Sequence, residues 1–191
     1  STDTLVLNAR LMEVRRQNLQ NPMGEPDSGV HANRVDINLS EQLLVSGWII
    51  GDARVDIDVI GSTGTGAMVT YGAEINSLTA DKGSSIQSLN AGSVVAINTS
   101  HSIISATGIF AQGANSSITV NAGTGITILE GATIAARDNF ATILLQATDF
   151  IHLNSGSAVR SSLRRSSRFS PEGSHVRLLS TGASLPSAAK A

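Results

Sequence analysis

Three aspartates recur at a spacing that could support chemistry. Arg34-Val35-Asp36-Ile37-Asn38-Leu39 is echoed 20 residues later by Arg54-Val55-Asp56-Ile57-Asp58-Val59. On strands stacked in register, Asp36 and Asp56 would stand about 4.8 Å apart. Their mutual repulsion would be about 1 kcal/mol in water and more at lower dielectric. Paired carboxylates can cleave glycosidic bonds, and clustered carboxylates can hold a hard cation such as calcium. A third possibility needs no ligand: Arg34 and Arg54, two residues back on the same face, neutralise the acids in a ladder of alternating sign. That surface ladder is the favoured reading, with an ion patch at Asp36, Asp56 and Asp58 or a catalytic pair as alternatives.

Other residues with chemical potential are scattered. His31, His101, His152 and His175 lack metal-pair spacing such as His-x-x-x-His, and no Gly-x-Ser-x-Gly nucleophile sequence occurs. Gly61-Ser62-Thr63-Gly64-Thr65-Gly66 mimics a phosphate loop but lacks the lysine and the helix that phosphate binding uses, so it reads as a turn. Trp48 and Tyr71 fall near successive corners, where they either pack or offer platforms to sugar rings; packing is preferred. Arg164, Arg165 and Arg168 form a basic stretch that attracts anions. Only Phe169 is interleaved there and the net charge is -2, which argues against nucleic acid. The chain has no cysteine, which excludes disulfides, thiolate metal sites and cysteine nucleophiles. No cofactor is expected.

The elements that would carry these residues repeat. A phrase of alternating apolar residues recurs at Leu5-Val6-Leu7-Asn8-Ala9, Val35, Val55, Ile118-Thr119-Val120-Asn121-Ala122, Ile143-Leu144-Leu145-Gln146-Ala147 and, more faintly, Val176-Arg177-Leu178-Leu179-Ser180. The starts lie 30, 20, 63, 25 and 33 residues apart. Ile86-Gln87-Ser88-Leu89-Asn90 is read as a degraded copy that divides the longest gap. Periods of this size mark repeat architectures. Alternation places Val35, Ile37 and Leu39 on one face of a strand and Arg34, Asp36 and Asn38 on the other.

A second apolar stretch follows each phrase, as in Leu44-Val45-Ser46-Gly47-Trp48-Ile49 and Ile126-Thr127-Ile128-Leu129. A glycine corner and a short third strand come next. Two or three strands per repeat, each paired in parallel with its equivalent one coil above, predict an all-β fold: a right-handed parallel β-helix (β-solenoid) of about seven irregular coils. At one strand spacing per coil the rod would be on the order of 35 Å long. A doubly wound α/β fold is excluded because the Gly-, Ser- and Thr-rich connections cannot form crossover helices. An immunoglobulin-like sandwich does not explain why successive strands share outward residues.

Composition agrees. Aromatic residues make up 3% and charged residues 15%, so Ile, Val, Leu and Ala must fill a narrow core. Charge is uneven: residues 1–81 carry 5 basic and 11 acidic residues, and residues 82–191 carry 8 and 4. No apolar run approaches the roughly 20 residues of a membrane-spanning helix, so no membrane insertion is expected. The chain opens on Ser1 and reads as an interior or processed segment. Residues 1–160 form the repeat segment, with a proline-containing loop insertion at 17–29. A basic excursion at 161–173 and a last partial coil with a tail at 174–191 follow.

The phrases Ile118-Thr119-Val120-Asn121-Ala122-Gly123 and Val45-Ser46-Gly47-Trp48-Ile49 resemble repeats of filamentous-haemagglutinin-like exoproteins exported by two-partner secretion. The pattern covers residues 1 to 160, and the spacing from Val35 to Val55 is near that family's repeat length. The resemblance implies a right-handed β-helix, a secreted or cell-surface location, and a role as an adhesin shaft. Unequal coils and the Pro-rich and Arg-rich insertions depart from the family, and no adhesive Arg-Gly-Asp is present. The expectation is therefore a non-enzymatic shaft that displays loops to host or neighbouring-cell molecules or glycans and packs end to end with further repeats. The alternatives are a β-helical polysaccharide lyase or depolymerase, and a filament subunit.

Overall fold

The computed structural model describes residues 3–14, 29–62, 65–70, 85–161 and 175–180. Every regular element in them is a strand. The first five are β1 (Thr4–Val14), β2 (Gly29–Val45), β3 (Trp48–Val59), β4 (Ala67–Thr70) and β5 (Ser85–Ser88). Then come β6 (Val94–Thr99), β7 (Ile103–Ser105), β8 (Gly108–Ala111), β9 (Ser117–Ala122) and β10 (Gly125–Ile128). The last are β11 (Thr133–Ala136), β12 (Thr142–Ala147), β13 (Phe150–Leu153), β14 (Ala158–Ser161) and β15 (His175–Ser180). Their pairings are parallel, and the strands join into one sheet that wraps as a nearly closed, barrel-like solenoid.

Three ladders form its sides. The repeated phrase makes the first, with Leu5, Val35, Val55, Val95, Ile118, Ile143 and Val176 in one register column. Met12, Leu43, Met68, Ile103, Ile126 and Ile151 form a column of the second. Val30, Ile49, Ile86, Ile109, Ile134 and Val159 form a column of the third. β2 runs through all three sides, and its register shifts where the sheet bends, opposite Ala9–Leu11 and after Ala32. Such shifts let a strand turn a corner without ending its ladder.

One copy of the phrase differs from the sequence reading. Ile86 lies on the third side, paired with Ile49, and the missing first-side copy is Val94–Thr99. Its outward Val94 and Ala96 are apolar or small, which hides the alternation. In that coil the third strand is β5.

The columns meet in an aliphatic core. Val35, Val55, Val95, Ile57, Ile97, Ile49, Ile86 and Ile109 are all fully buried, and no aromatic side chain is buried among the described residues. The scarcity of aromatics thus follows from the narrow bore: stacked β-branched side chains fill it one layer per coil. Polar groups inside it are mostly paired. Buried Thr70 and Ser105 face each other at 3.3 Å, and Ser105 Oγ donates to the Thr107 carbonyl at 3.1 Å.

Thr99 differs. Its side chain stacks directly on Val59, is 5% exposed, and its Oγ1 has no hydrogen-bond partner. Thr99→Val keeps the shape and removes the orphan hydroxyl, so it is expected to raise stability by about 1 kcal/mol in urea denaturation. An unchanged or lower midpoint would contradict this.

The corners leading into the first side are stacked as well. Gly92, Asn115 and Phe140 each stand three residues before a register position and share a left-handed backbone, with φ of 71°, 60° and 58°. Gly92 N–H donates to the Ala114 carbonyl at 2.7 Å, and Asn115 N–H donates to Asn139 at 3.0 Å, each in the coil above. Buried Ser93 and Ser116 repeat a second bond, to the Gln112 and Arg137 carbonyls at 3.0 Å and 3.3 Å.

Candidate functional site

The first side presents Asp36, Asp56 and Asp58 outward because β2 and β3 pair in strict register: Arg34 on Arg54, Val35 on Val55, Asp36 on Asp56, Asn38 on Asp58. Arg34 Nε donates to Asp36 Oδ1 at 2.8 Å, and its Nη2 reaches Asp56 Oδ2 at 3.1 Å. Arg54 Nε donates to the same Asp56 oxygen at 2.6 Å. The two carboxylates are about one-fifth exposed and the guanidinium side chains somewhat under half. The residues form a ladder in which Arg34 bridges both coils and offsets the repulsion between the stacked acids.

The hydrogen bond to Asp36, and then the charge of Asp36, hold the Arg34 guanidinium above its ordinary range. Asp56 acts likewise on Arg54 against a partial loss from burial. A cation whose folded pKa is raised stabilises the fold below its unfolded value and loses that contribution only as pH climbs through the folded one. For guanidinium groups this window lies in strong alkali, so moving from neutral to mildly alkaline pH leaves this contribution in place.

Asp58 does not join that cluster. It stands in a column of amides, Asn8, Asn38, Asp58, Asn98, Asn121 and Gln146. Asn98 Nδ2 donates to Asp58 Oδ1 at 2.7 Å, and Asn121 Nδ2 donates to Asn98 Oδ1 at 2.7 Å. The signal was present in the phrase, since most copies carry Asn or Asp at the same offset. Asp58→Asn preserves an acceptor for Asn98 and is expected to change stability by no more than about 0.5 kcal/mol. Asp58→Leu removes that acceptor and should cost about 1 kcal/mol in the same denaturation assay. Equal effects of the two substitutions would refute the ladder.

Trp48 opens β3 on the third side, directly in register with Gly29. A Cβ on Gly29 would overlap the indole atoms Cδ2 and Cε3, so this glycine lets the ring lie against the neighbouring backbone. Phe150 covers its register partner Gly125 in the same way on the second side. Trp48 stays partly exposed and meets His31 edge-on, with ring centroids 6.4 Å apart. His31 lies within β2, and its Nε2 is 2.9 Å from Asp52 Oδ1. Neither the Trp48–Gly29 nor the His31–Asp52 contact was legible in the sequence, because their members are 19 and 21 residues apart and meet only through the register.

Gly61, Ser62, Thr65 and Gly66, the described residues of that stretch, form a corner rather than a cradle. Ser100, one coil above, accepts from the Gly61 N–H at 2.8 Å and donates towards the Gly61 and Thr65 carbonyls at 3.2 Å and 3.1 Å. His101 follows Ser100 in that same corner, and its N–H donates to the Gly66 carbonyl at 3.1 Å, while His152 and His175 are exposed on β13 and β15. Tyr71, Arg164, Arg165 and Arg168 lie outside the described residues, as do 17–28, 162–173 and the tail from 185. Among the described residues no group of three or more His, Asp or Glu is placed to hold a metal ion. No helix among them is long and apolar enough to cross a membrane.

These features define an all-β, parallel-stranded solenoid whose outer first side is a charge-paired and amide-paired surface. A scan against protein-family models gives no match to this chain, and searches of curated proteins and of solved structures give none either.

Proposed function

We propose that the chain is a structural and adhesive segment of a large secreted or cell-surface bacterial protein of the filamentous-haemagglutinin-like kind. In this reading it is a right-handed β-helix of about seven irregular coils, the hand following the strong preference of parallel strand connections. The coils form a stiff axis, and the departures from the repeat at residues 17–28 and 162–173 present loops to surface molecules or glycans of host or neighbouring cells.

One observation carries the reading: the first-side register runs unbroken from Leu5 to Val176 through strands that differ widely in spacing along the chain. Such a frame holds its axis while its connections vary, which suits display. The pairing of Asp36 and Asp56 with arginines supports a non-enzymatic role, since a general acid or nucleophile must be free to meet substrate.

The test compares the chain with variants in which residues 17–28 or 162–173 are replaced by Gly-Ser segments of equal length. Binding to cells and immobilised glycans should fall with a loop replacement while the thermal midpoint holds. Incubation with polysaccharides should release no new chain ends. Cleavage that disappears on replacing Asp36, Asp56 and Asp58 with Asn would overturn this reading in favour of a carbohydrate-active enzyme.

A further inference from the structure

The arginines of this chain divide by their height in the stack. Among the described residues those of the early coils are ion-paired, Arg10 with Glu41, Arg34 with Asp36 and Asp56, and Arg54 with Asp56. The other three described arginines, Arg137, Arg160 and Arg177, have no carboxylate partner. Two of these share the outer face of the third side. Phe110, Ala135 and Arg160 form one outward column, and Arg137 stands two residues beyond Ala135 on the same face. Strand geometry separates the Arg137 and Arg160 Cα positions by about 8 Å. Arg177 lies on the first side.

Arg137 is held in place rather than loose. Its guanidinium carbon lies 5.1 Å from the centroid of the Phe110 ring. That ring is laid over Gly108, where a Cβ would overlap it. The aromatic face attracts the cation through its quadrupole but takes up none of its in-plane N–H groups. Arg137 Nε is buried and has no hydrogen-bond partner, while the residue as a whole stays partly exposed. Neighbouring Asp138 makes its contacts elsewhere, and Glu130 stands before the opposite end of β11. A partly desolvated cation without a counter-charge is a standing electrostatic cost. An anion drawn to its terminal Nη fork would offset that cost.

We propose that this face binds acidic polysaccharides through their carboxylates, Arg137 taking one in its planar fork and Arg160 a second along the polymer. The flat guanidinium edge presents two parallel donors that match the two carboxylate oxygens. A polymer whose acids repeat can meet both arginines, and the second contact is then effectively intramolecular. This adds a ligand site on the coils themselves and rests on the shaft reading only for its setting at a surface.

Binding of the full chain to immobilised polygalacturonate tests it, with neutral dextran and dextran sulfate as the other arms. The wild type should bind polygalacturonate, more weakly as salt is added, and leave dextran unbound. Arg137→Gln should weaken this binding at least about tenfold. Arg137→Lys, which keeps the charge but not the fork, should recover little of it. Arg160→Gln should weaken binding by a smaller factor. Arg177→Gln removes the same charge from the first side and should leave binding unchanged. Thermal midpoints identify a variant that fails to fold, and exposed Arg160 carries the test if Arg137→Gln is one. Equal losses from the Arg137 and Arg177 variants would reduce the effect to bulk charge and overturn the site. So would a wild type that binds no polygalacturonate, or binds dextran sulfate alone. A chain that binds cells but no polygalacturonate removes this inference alone; one that binds polygalacturonate but no cells removes the functional reading alone.

Discussion

Ile57→Ala is expected to lower the unfolding free energy by about 3–4 kcal/mol. Ile57 is fully buried at the middle of the first side, with Ile37 below and Ile97 above it in register. Truncation removes the transfer energy of the lost carbons and leaves a void that the neighbours cannot close. Their Cα positions are fixed by ladder hydrogen bonds on both edges of β3. In a stacked architecture the loss also weakens the coupling between the coils on either side. A broadened or biphasic urea transition is therefore expected along with the lower midpoint. Leu178→Ala offers the contrast: the same chemistry at a 42% exposed position should cost less than about 1 kcal/mol in the isolated chain. A loss below about 1 kcal/mol for Ile57→Ala would mean that the core is far more plastic than its packing implies.

Gly51→Ala is the second large effect, for the opposite reason. A Cβ at Gly51 would overlap the Arg54 carbonyl oxygen and lie 2.7 Å from its carbon and 2.8 Å from Val55 Cγ2. Two of those atoms are backbone, at the tight bend where β3 passes from the third side to the first. Gly51 is also held in register between Ala32 and Ser88, so the strand cannot shift outward to make room. The expected cost is about 2–4 kcal/mol, seen as a lower thermal midpoint. Ala53→Ser, two residues away and exposed, should stay within about 0.5 kcal/mol. If both substitutions were equally mild, the bend would have to be looser than these contacts allow.

How much of this was legible in the sequence varies by side. First-side strands with polar outward residues, such as Arg34-x-Asp36-x-Asn38, show the period-two signal plainly, and the register of Val35 on Val55 follows from it. Val94–Thr99 was missed because only its last outward residue, Asn98, is polar. The third side is quieter still. All four residues of β5 are buried, and β8 and β11 bury three of four, so both faces lose the alternation that sequence reading depends on. The Arg–Asp ladder could be anticipated from two matching copies. The His31–Asp52 and Trp48–Gly29 contacts could not, because no local pattern encodes which residues two coils bring together.

The stacked corners have a mechanical consequence. Gly92 and Asn115 continue the coil-to-coil hydrogen bonding around the bend, so along this corner, as on the flat sides, neighbouring coils are tied together. These ties point along the stacking direction, and a pull in that direction loads them in opening rather than in shear. Tension would then peel a terminal coil strand by strand at modest force, leaving the coils beneath it wound. Under load such a molecule would lengthen in steps of one coil, and each released coil could rewind on the intact edge below it.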